Sequence, residues 1–490
     1  MDRFSAVRPS VLHLLAISGF AVVQPLLDIL ARYPQFFVAR HSKPVDILAF
    51  ALLVSFAVPG LGWMLVVCGR LLGKGTAVAI HLACLTLLFA ALSLHLAKLA
   101  LGLKDPSWVG VAVVFGIVLS VVFLRIPTLR SYLALASLAP IGFVGLFILR
   151  PPISKIVFAD STMVPVTEGR NLDTPIVMVV FDELPLVSLL DAERKIDGRY
   201  YPGFAALADS SNWYRHATTV AELTEDAMVG ILTGTYPDRQ RLANFVDCPQ
   251  NLFTLLAGSY DFSNTNELMT SLCPEALCAG HTHRRASFKD RLRELTLDSA
   301  VVYLHLILPE ELAAALPTIN QAWNGFVDLK DSRHNSREQT SGVSLEVPYS
   351  FPSHHWLRDL RGPVPGWYAD FLDRLKPPGT GKPSLHFVHI MLPHAPWVYL
   401  PSGAQYSFQT KRIEGLQADN SWGAEPGASD RAYQSHLLQV RFTDRLVTEL
   451  LHRLEAVGLY DEALVVVVAD HGASFRPGNR RRHFTEENPD

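Results

Sequence analysis

Residues 463–472 read "ALVVVVADHG", a β-branched apolar run that ends in Asp-His-Gly. A short, nearly continuous apolar run of this kind is typical of a strand covered on both faces in a parallel sheet. "PIVMVVF" (175–181) and "SLHFVHI" (384–390) have the same form. With helical segments between them, the three runs predict an α/β domain whose parallel-rich sheet lies between helices.

Polar side chains follow each of these runs. Asp182 and Glu183 follow the first, His394 in "MLPHAPW" follows the second, and Asp470 and His471 follow the third. One acidic residue after a strand is commonly a helix cap or turn. Active sites of open parallel sheets lie beyond the carboxyl ends of the strands, where gathered carboxylates would repel one another without a cation. The sequence therefore predicts a metal site at this edge.

The stretch "TEDAMVGILTG" (224–234) begins like an ordinary helix. Thr224 could cap that helix by accepting a hydrogen bond from a backbone N–H group. A hydroxyl at a helix N-terminus also faces the positive end of the helix dipole, which favours an alkoxide and an incoming phosphate. A divalent cation would lower the pKa of that hydroxyl further. From the residues alone, both roles stay open for Thr224.

The N-terminal part predicts an all-α transmembrane bundle. The 490 residues are 49% hydrophobic and only 18% charged, which is too apolar for an average soluble protein of this length. Loop Lys and Arg residues place the N-terminus in the cytoplasm and residues after Leu149 outside, as in a multi-pass plasma membrane protein. Five apolar runs are each long enough to cross a bilayer: 11–31, 46–70, 76–103, 108–125 and 131–150.

These patterns divide the chain into a transmembrane domain (1–152), a linker (153–172) and a catalytic domain (173–490). The apolar segment 299–319 is interrupted by "PEE", so we expect a core or interface-lying helix there and not a sixth span. The near balance of basic and acidic residues gives no reason to expect a nucleic-acid partner.

Three cysteines lie in the polar half of the chain. Cys273 and Cys278 are close in sequence in "CPEALC", and a local disulfide between them would suit an exported domain. Free thiols remain the alternative. The sequence does not assign a partner to Cys248. No second Cys or His pair at ligand spacing stands nearby to favour a zinc site.

"FDELP", "TEDAMVGILTG", "LPHAPW" and "ADHG", in this order, resemble the sulfatase-like branch of the alkaline phosphatase superfamily. The resemblance covers about residues 173–490. Five spans before an exported domain are similar to lipoteichoic acid synthase and the phosphoethanolamine transferases. Members of the family generally continue well beyond "DHG", so the resemblance implies either that a C-terminal part is missing after Asp490 or that the sheet is shortened, and we expect a C-terminally incomplete catalytic domain.

The resemblance implies roles for individual residues. Thr224, ten residues before the Gly of "LTG", would be the nucleophile, and His394 would contact the phosphate or protonate the leaving group. His483 would act similarly or bind a second metal. At least one divalent ion, Zn²⁺ or Mn²⁺, is implied, with the ligands Asp182, Glu183 as its neighbour or alternative, Thr224, Asp470 and His471. Arg480, Arg481 and Arg482 could face phosphates, but a basic run of this kind is more often a solvated tail, and we expect the tail.

The expected activity is that of a metal-dependent phosphotransferase or hydrolase. Its substrate would be a phosphoester, such as a phosphodiester, of an envelope lipid or polymer, with a lipid-linked phosphate held beside the membrane. Thr224 lacks the Cys-x-Pro-x-Arg context that formylglycine sulfatases require. A sulfuric ester hydrolase of unusual type and an inactive envelope-assembly scaffold are the alternatives.

Overall fold

The protein was analysed as a computed structural model. It describes residues 10–158, 173–238, 240–278, 287–317, 319, 323, 326, 354, 357, 360, 363–379, 381–405, 413–417 and 419–482. The chain forms two compact units, which are treated separately below. The membrane unit comprises residues 1–159 and 286–337, and the catalytic unit comprises residues 160–285 and 338–490. The predicted catalytic domain 173–490 thus contains a segment that groups with the membrane helices.

The membrane unit consists of helices. Among the described residues, five stretches are long and apolar enough to cross a membrane, which agrees with the predicted all-α bundle. They are α1 (Val11–Arg32, with a π-helical turn at Gly19–Val23), α3 (Pro44–Leu72), α4 (Lys74–Leu101), α5 (Ser107–Arg125) and the pair α6 (Pro127–Ala136) and α7 (Ala139–Leu149). The short helices α2 (Gln35–Val38) and α8 (Ile153–Phe158) belong to the same unit.

Helices α4 and α5 pack at close range. A Cβ atom at Gly116 of α5 would lie 2.5 Å from the backbone oxygen of Thr86 on α4. Small residues permit such close approach of helices in lipid, where there is no hydrophobic effect between them to exploit. The hydroxyl groups of Thr86 and Ser120 are hydrogen-bonded at 2.8 Å across the same interface.

Helix α13 (Phe288–Ile307) also belongs to the membrane unit. It begins after Ser287, whose side chain caps it, and it ends shortly before Pro309, which cannot continue a helix. The five candidate spans of the described chain do not include it. Its side chains reach the membrane helices through charged contacts: Arg291 pairs with Asp46 at 2.8 Å, and Asp298 forms a buried ion pair with Arg40. The short helix α14 (Glu310–Ala313) follows.

The catalytic unit contains a four-stranded parallel sheet in the order β2-β3-β1-β4. Its strands are β1 (Ile176–Asp182), β2 (Asp261–Asn266), β3 (Ser384–Pro393) and β4 (Leu464–Ala469). The three predicted strands are therefore adjacent. The fourth, β2, reads "DFSNTN" and carries no apolar run, so the sequence pattern did not indicate it.

Helices cover both faces of this sheet. They are α9 (Pro202–Asp209), α10 (Thr224–Thr233), α11 (Leu252–Leu256), α12 (Glu275–Cys278), α15 (Pro363–Asp373) and α16 (Asp430–Ala456), with a 3₁₀ turn at Leu186–Leu189. Alternate residues of a strand point to opposite faces. Val179 of β1 accordingly belongs to the core that contains Leu446 of α16, and Val180 belongs to the core that contains Met228 of α10. The predicted α/β architecture is confirmed.

The catalytic unit contains one disulfide and one free cysteine among its described residues. Cys273 and Cys278 form the predicted local disulfide. Cys248 is a free, buried thiol.

Candidate metal and nucleophile site

Three neighbouring strands bring a metal-ligating cluster together at one edge of the sheet. Asp182 ends β1, His389 lies in the last half of β3, and Asp470 follows β4 directly. Each residue offers one ligand atom, and these three atoms all lie within 4.8 Å of one another. All three side chains are buried. The predicted pair of aspartates is thus joined by a histidine that the sequence analysis did not select.

His389 was missed because it lies within a strand and not after one. A weak signal was available: "SLHFVHI" carries two histidines in an otherwise apolar run, and both are buried. His386 and His389 are separated by an odd number of positions, so a strand directs them to opposite faces. The sequence does not show which of the two faces the aspartates.

Backbone groups orient the three ligands. Asp470 Oδ1 accepts hydrogen bonds from the N–H groups of Glu183 (3.0 Å) and His471 (2.6 Å). His389 Nδ1 contacts the backbone oxygen of Leu268 at 3.1 Å, so Nδ1 carries the proton and Nε2 presents its lone pair. Such contacts fix the tautomer and rotation of a metal ligand.

The atoms left over face one another without protein donors. Asp182 Oδ2, Asp470 Oδ2 and His389 Nε2 are buried, and within the described chain no hydrogen-bond partner reaches them. All three are acceptors. Because buried acceptors without a donor are costly, a cation is the group that suits this place. Two carboxylates and an imidazole fit Zn²⁺ or Mn²⁺.

The pKa values of Asp470 and His389 also favour a bound cation. Burial, with the neighbouring Asp182 carboxylate, raises the pKa of Asp470 well above its usual range. Burial lowers the pKa of His389, so its imidazole is neutral. A bound cation would reverse the repulsion between the two aspartates and hold both in the ionised form.

Thr224 faces this cluster. It is the first residue of α10, and Leu223, not Thr224, occupies the N-cap position. The buried Thr224 Oγ1 lies 3.5 Å from Asp182 Oδ1 and 3.3 Å from His471 Nε2. The helix ends at Gly234, whose φ of +68° suits a residue without a side chain. The structure therefore places the hydroxyl at the positive end of the helix and beside the candidate metal ligands.

His471 presents its Nε2 atom to the same place. Its Nδ1 atom contacts the backbone oxygen of Gly472 at 3.0 Å, which leaves Nε2 as the acceptor. Nε2 lies 3.6 Å from Asp470 Oδ2 and 3.7 Å from Asp182 Oδ1. Burial and the charge of Arg482 lower the pKa of His471 to about 4, so its imidazole is neutral at ordinary pH. A neutral imidazole in this position can bind a cation.

Glu183 has a different set of contacts from Asp182. Arg481 Nη1 lies 2.6 Å from Glu183 Oε1, and Arg482 Nε donates to the same oxygen at 3.0 Å. The expectation of a solvated tail at 480–482 is wrong for these two arginines, whose side chains are 3% and 8% exposed. The physical reason is the fully buried Glu183 carboxylate, which requires paired positive charge.

These arginines control the state of Glu183. Burial alone would raise the pKa of its carboxyl group, but the charges of Arg481 and Arg482 outweigh burial and hold that pKa well below its usual range. The Glu183 side chain is therefore an ionised carboxylate. Its backbone has a φ of +61°, a left-handed conformation that is unusual for this residue type. Strained backbone of this kind occurs preferentially at functional sites.

His394 borders the arginine pair. Its Nε2 atom contacts Arg482 Nη2 at 2.5 Å and lies 3.8 Å from Glu183 Oε2. The buried Gln439 of α16 holds the loop that carries it, because Gln439 Nε2 donates to the backbone oxygens of Pro393 (3.1 Å) and His394 (2.8 Å). The predicted His483 lies outside the described residues.

The comparison with protein families bears on this part of the chain. Residues 366–489 match the sulfatase family model. The matched region includes β3, β4, His389, His394 and Asp470, whereas Asp182 and Thr224 lie before it. The match supports placement in the sulfatase/alkaline phosphatase superfamily and indicates a hydrolase or transferase. No curated protein matches the chain significantly.

Proposed function

We propose that the protein is a membrane-anchored, metal-dependent phosphotransferase or hydrolase that uses Thr224 as its nucleophile. Its substrate is a phosphodiester of an envelope lipid or lipid-linked polymer. The observation that carries the proposal is the position of Thr224 Oγ1, which lies beside Asp182 and His471 within a cluster of buried acceptor atoms. A threonine hydroxyl is a weak nucleophile unless a base or a metal activates it.

Asp182, His389, Asp470 and His471 would hold the divalent ion. When bound, the ion would lower the pKa of the Thr224 hydroxyl and neutralise charge on the phosphoryl oxygens. Thr224 Oγ1 loses its proton to water and forms a bond to phosphorus. The bond from phosphorus to the leaving oxygen breaks, and His394 donates a proton to that oxygen once its Nε2 atom has been protonated.

The covalent intermediate is then a phosphothreonine ester. Water or an acceptor hydroxyl group attacks its phosphorus atom, the bond to Thr224 Oγ1 breaks, and Thr224 regains a proton. Transfer to a hydroxyl group gives a transferase and transfer to water gives a hydrolase. The same residues serve both outcomes.

The proposed location is the plasma membrane, with the catalytic unit on the extracytoplasmic side. The five candidate spans support the membrane anchor. The Cys273–Cys278 disulfide supports an oxidising compartment. An anchor of this kind keeps the enzyme in the same plane as a lipid substrate.

The test uses the full chain in detergent or lipid nanodiscs, with and without added Zn²⁺ or Mn²⁺. We expect metal-dependent turnover of bis(p-nitrophenyl) phosphate and a phosphoryl adduct on Thr224 by mass spectrometry. Turnover of p-nitrophenyl sulfate alone would favour a sulfuric ester hydrolase, which the family match makes the second candidate. A metal-loaded protein without any turnover or adduct would indicate a scaffold and end the proposal.

A further inference from the structure

The buried cluster of Glu183, Arg481, Arg482 and His394 is not explained by metal binding. Both oxygens of the Glu183 carboxylate are occupied by guanidinium groups, since Arg481 Nη1 lies 2.6 Å from Oε1 and 2.7 Å from Oε2. Arg482 Nε adds a bond of 3.0 Å to Oε1. A carboxylate engaged in this way has little capacity left for a cation.

The cluster is continuous with the nucleophile site. Glu183 follows the candidate ligand Asp182 directly, and its N–H group donates to Asp470 Oδ1 at 3.0 Å. Arg482 also contacts His394, which the proposed mechanism uses. Arg481 is 3% exposed, and its Nε–H group has no hydrogen-bond partner among the described residues. A buried donor without an acceptor suits an anionic substrate oxygen.

Charge decides which anion fits. His389 and His471 present Nε2 lone pairs to the candidate metal position, and His394 Nε2 accepts from Arg482. The charged groups in direct contact within this cluster are the Glu183 carboxylate and the guanidinium groups of Arg481 and Arg482. Together these three leave a single positive charge in a buried place.

We propose that Glu183 is a specificity-determining residue. Its carboxylate neutralises one of the two guanidinium charges, so the site accepts a singly charged tetrahedral ester in preference to a doubly charged phosphomonoester. Phosphodiesters and sulfate monoesters share this single charge. The inference rests on the proposed function, because it concerns the ester that Thr224 attacks.

The test compares two ligands that differ by one charge and cannot be hydrolysed. Phenylphosphonate is doubly charged at pH 8.5, and its monomethyl ester is singly charged. Calorimetry on the zinc-loaded full chain gives both dissociation constants, and their ratio measures charge preference without any turnover. We expect the wild-type chain to favour the ester. Glu183→Gln should shift the ratio at least about tenfold towards phenylphosphonate, since unit charges several ångströms apart interact strongly in a partly buried site.

Matched variants separate charge from general damage. Glu414→Gln makes the same replacement at an exposed carboxylate that is also paired with an arginine, and it should leave the ratio unchanged. Arg481→Gln should shift the ratio in the opposite direction. The double variant Glu183→Gln with Arg481→Gln restores the net charge and should return the ratio to the wild-type value. If Glu183→Gln alone fails to fold, the comparison of Arg481→Gln with the double variant still measures the effect of the Glu183 charge.

Three results would overturn the proposal: a ratio that Glu183→Gln and Arg481→Gln both leave within twofold of wild type, a shift that the double variant does not reverse, or no binding of either phosphonate. Failure of the proposed function would look different, because the absence of turnover or of a Thr224 adduct does not alter a binding ratio. Benzenesulfonate, which also carries one charge, identifies the ester class by its affinity relative to the phosphonate ester.

Discussion

The backbone N–H group of Glu183 donates a hydrogen bond to Asp470 Oδ1 at 3.0 Å, so the residue after the first strand orients the carboxylate after the last. This bond joins the ends of β1 and β4, which are neighbours in the sheet. It leaves Asp470 Oδ2 directed at no protein donor among the described residues. Backbone N–H groups thereby help to arrange the cluster around Asp182, His389 and Asp470.

Replacing His389 should weaken metal binding. We expect His389→Ala to lower the affinity for Zn²⁺ at least about tenfold, because the loss of an oriented ligand leaves only Asp182, Asp470 and His471 to hold the ion. Chelator competition on the full chain measures this affinity. His386→Ala is the matched control, since His386 is also buried in β3 but is not part of the cluster. Equal affinities for the two variants would remove His389 from the site.

Replacing Thr224 should abolish turnover and leave the fold intact. We expect Thr224→Ala to lower kcat for a phosphodiester by about a thousandfold or more, because no other hydroxyl is assigned the attack, and Thr224→Ser to retain part of the activity. Thr233→Ala, at the other end of α10, is the control, because Thr233 Oγ1 bonds only within its own segment in the contacts described. Comparable rates for Thr224→Ala and Thr233→Ala would rule out the nucleophile.

Gln439 should affect the reaction through His394. We expect Gln439→Ala to lower kcat about tenfold or more with unchanged Zn²⁺ affinity, because its amide holds the backbone that carries His394. Steady-state kinetics and chelator competition on the same preparation separate these effects. Thr443→Ala, one turn further along α16 and equally buried, should leave kcat close to wild type. A parallel loss of Zn²⁺ affinity in Gln439→Ala would point to general damage.

Asp444 predicts a pH dependence of stability. Burial raises the pKa of its carboxyl group to about 6, from a usual value of 3.8. Because the folded state holds this proton more tightly than the unfolded chain does, the group stabilises the fold fully at a pH below its pKa in the unfolded chain. This contribution is lost as the pH rises through about 6, the pKa in the folded state. The Tm of wild type relative to Asp444→Asn should therefore fall between pH 4 and pH 7. A constant difference across this range would contradict the raised pKa.

The Arg40–Asp298 pair should stabilise the membrane unit only while both partners are present. Both side chains are buried, so Asp298→Ala leaves an unpaired guanidinium group and should cost about 3–5 kcal/mol. Glu414→Ala, which breaks the exposed Glu414–Arg431 pair outside the candidate spans, should cost at most about 1 kcal/mol. Denaturation of the full chain in detergent measures both. Equal losses of stability would mean that burial does not decide the contribution.

The sequence predicted those parts of the molecule that depend on local pattern. Three buried parallel strands, five spans and the grouping of Asp182, Asp470 and His471 at one sheet edge followed from apolar runs and from the residues after them, whereas the assignment of Thr224 to this site came from the resemblance to the sulfatase-like family. β2 was missed because its polar residues carry no strand signal. His389, Arg481 and Arg482 were missed for another reason: their partners are distant in sequence, and only the assembled sheet edge shows which buried charges must be balanced.

The membrane unit includes residues 286–337, which lie between β2 and β3 in the chain. The polypeptide therefore passes from the membrane unit to the catalytic unit, returns to the membrane unit, and then enters the catalytic unit a second time. Cleavage of the connection near residue 160 alone would leave the sheet attached through the two other connections, near residues 286 and 338. Release of the catalytic unit from the membrane unit would require three cuts, and those cuts would separate β1 and β2 from β3 and β4 in the covalent chain.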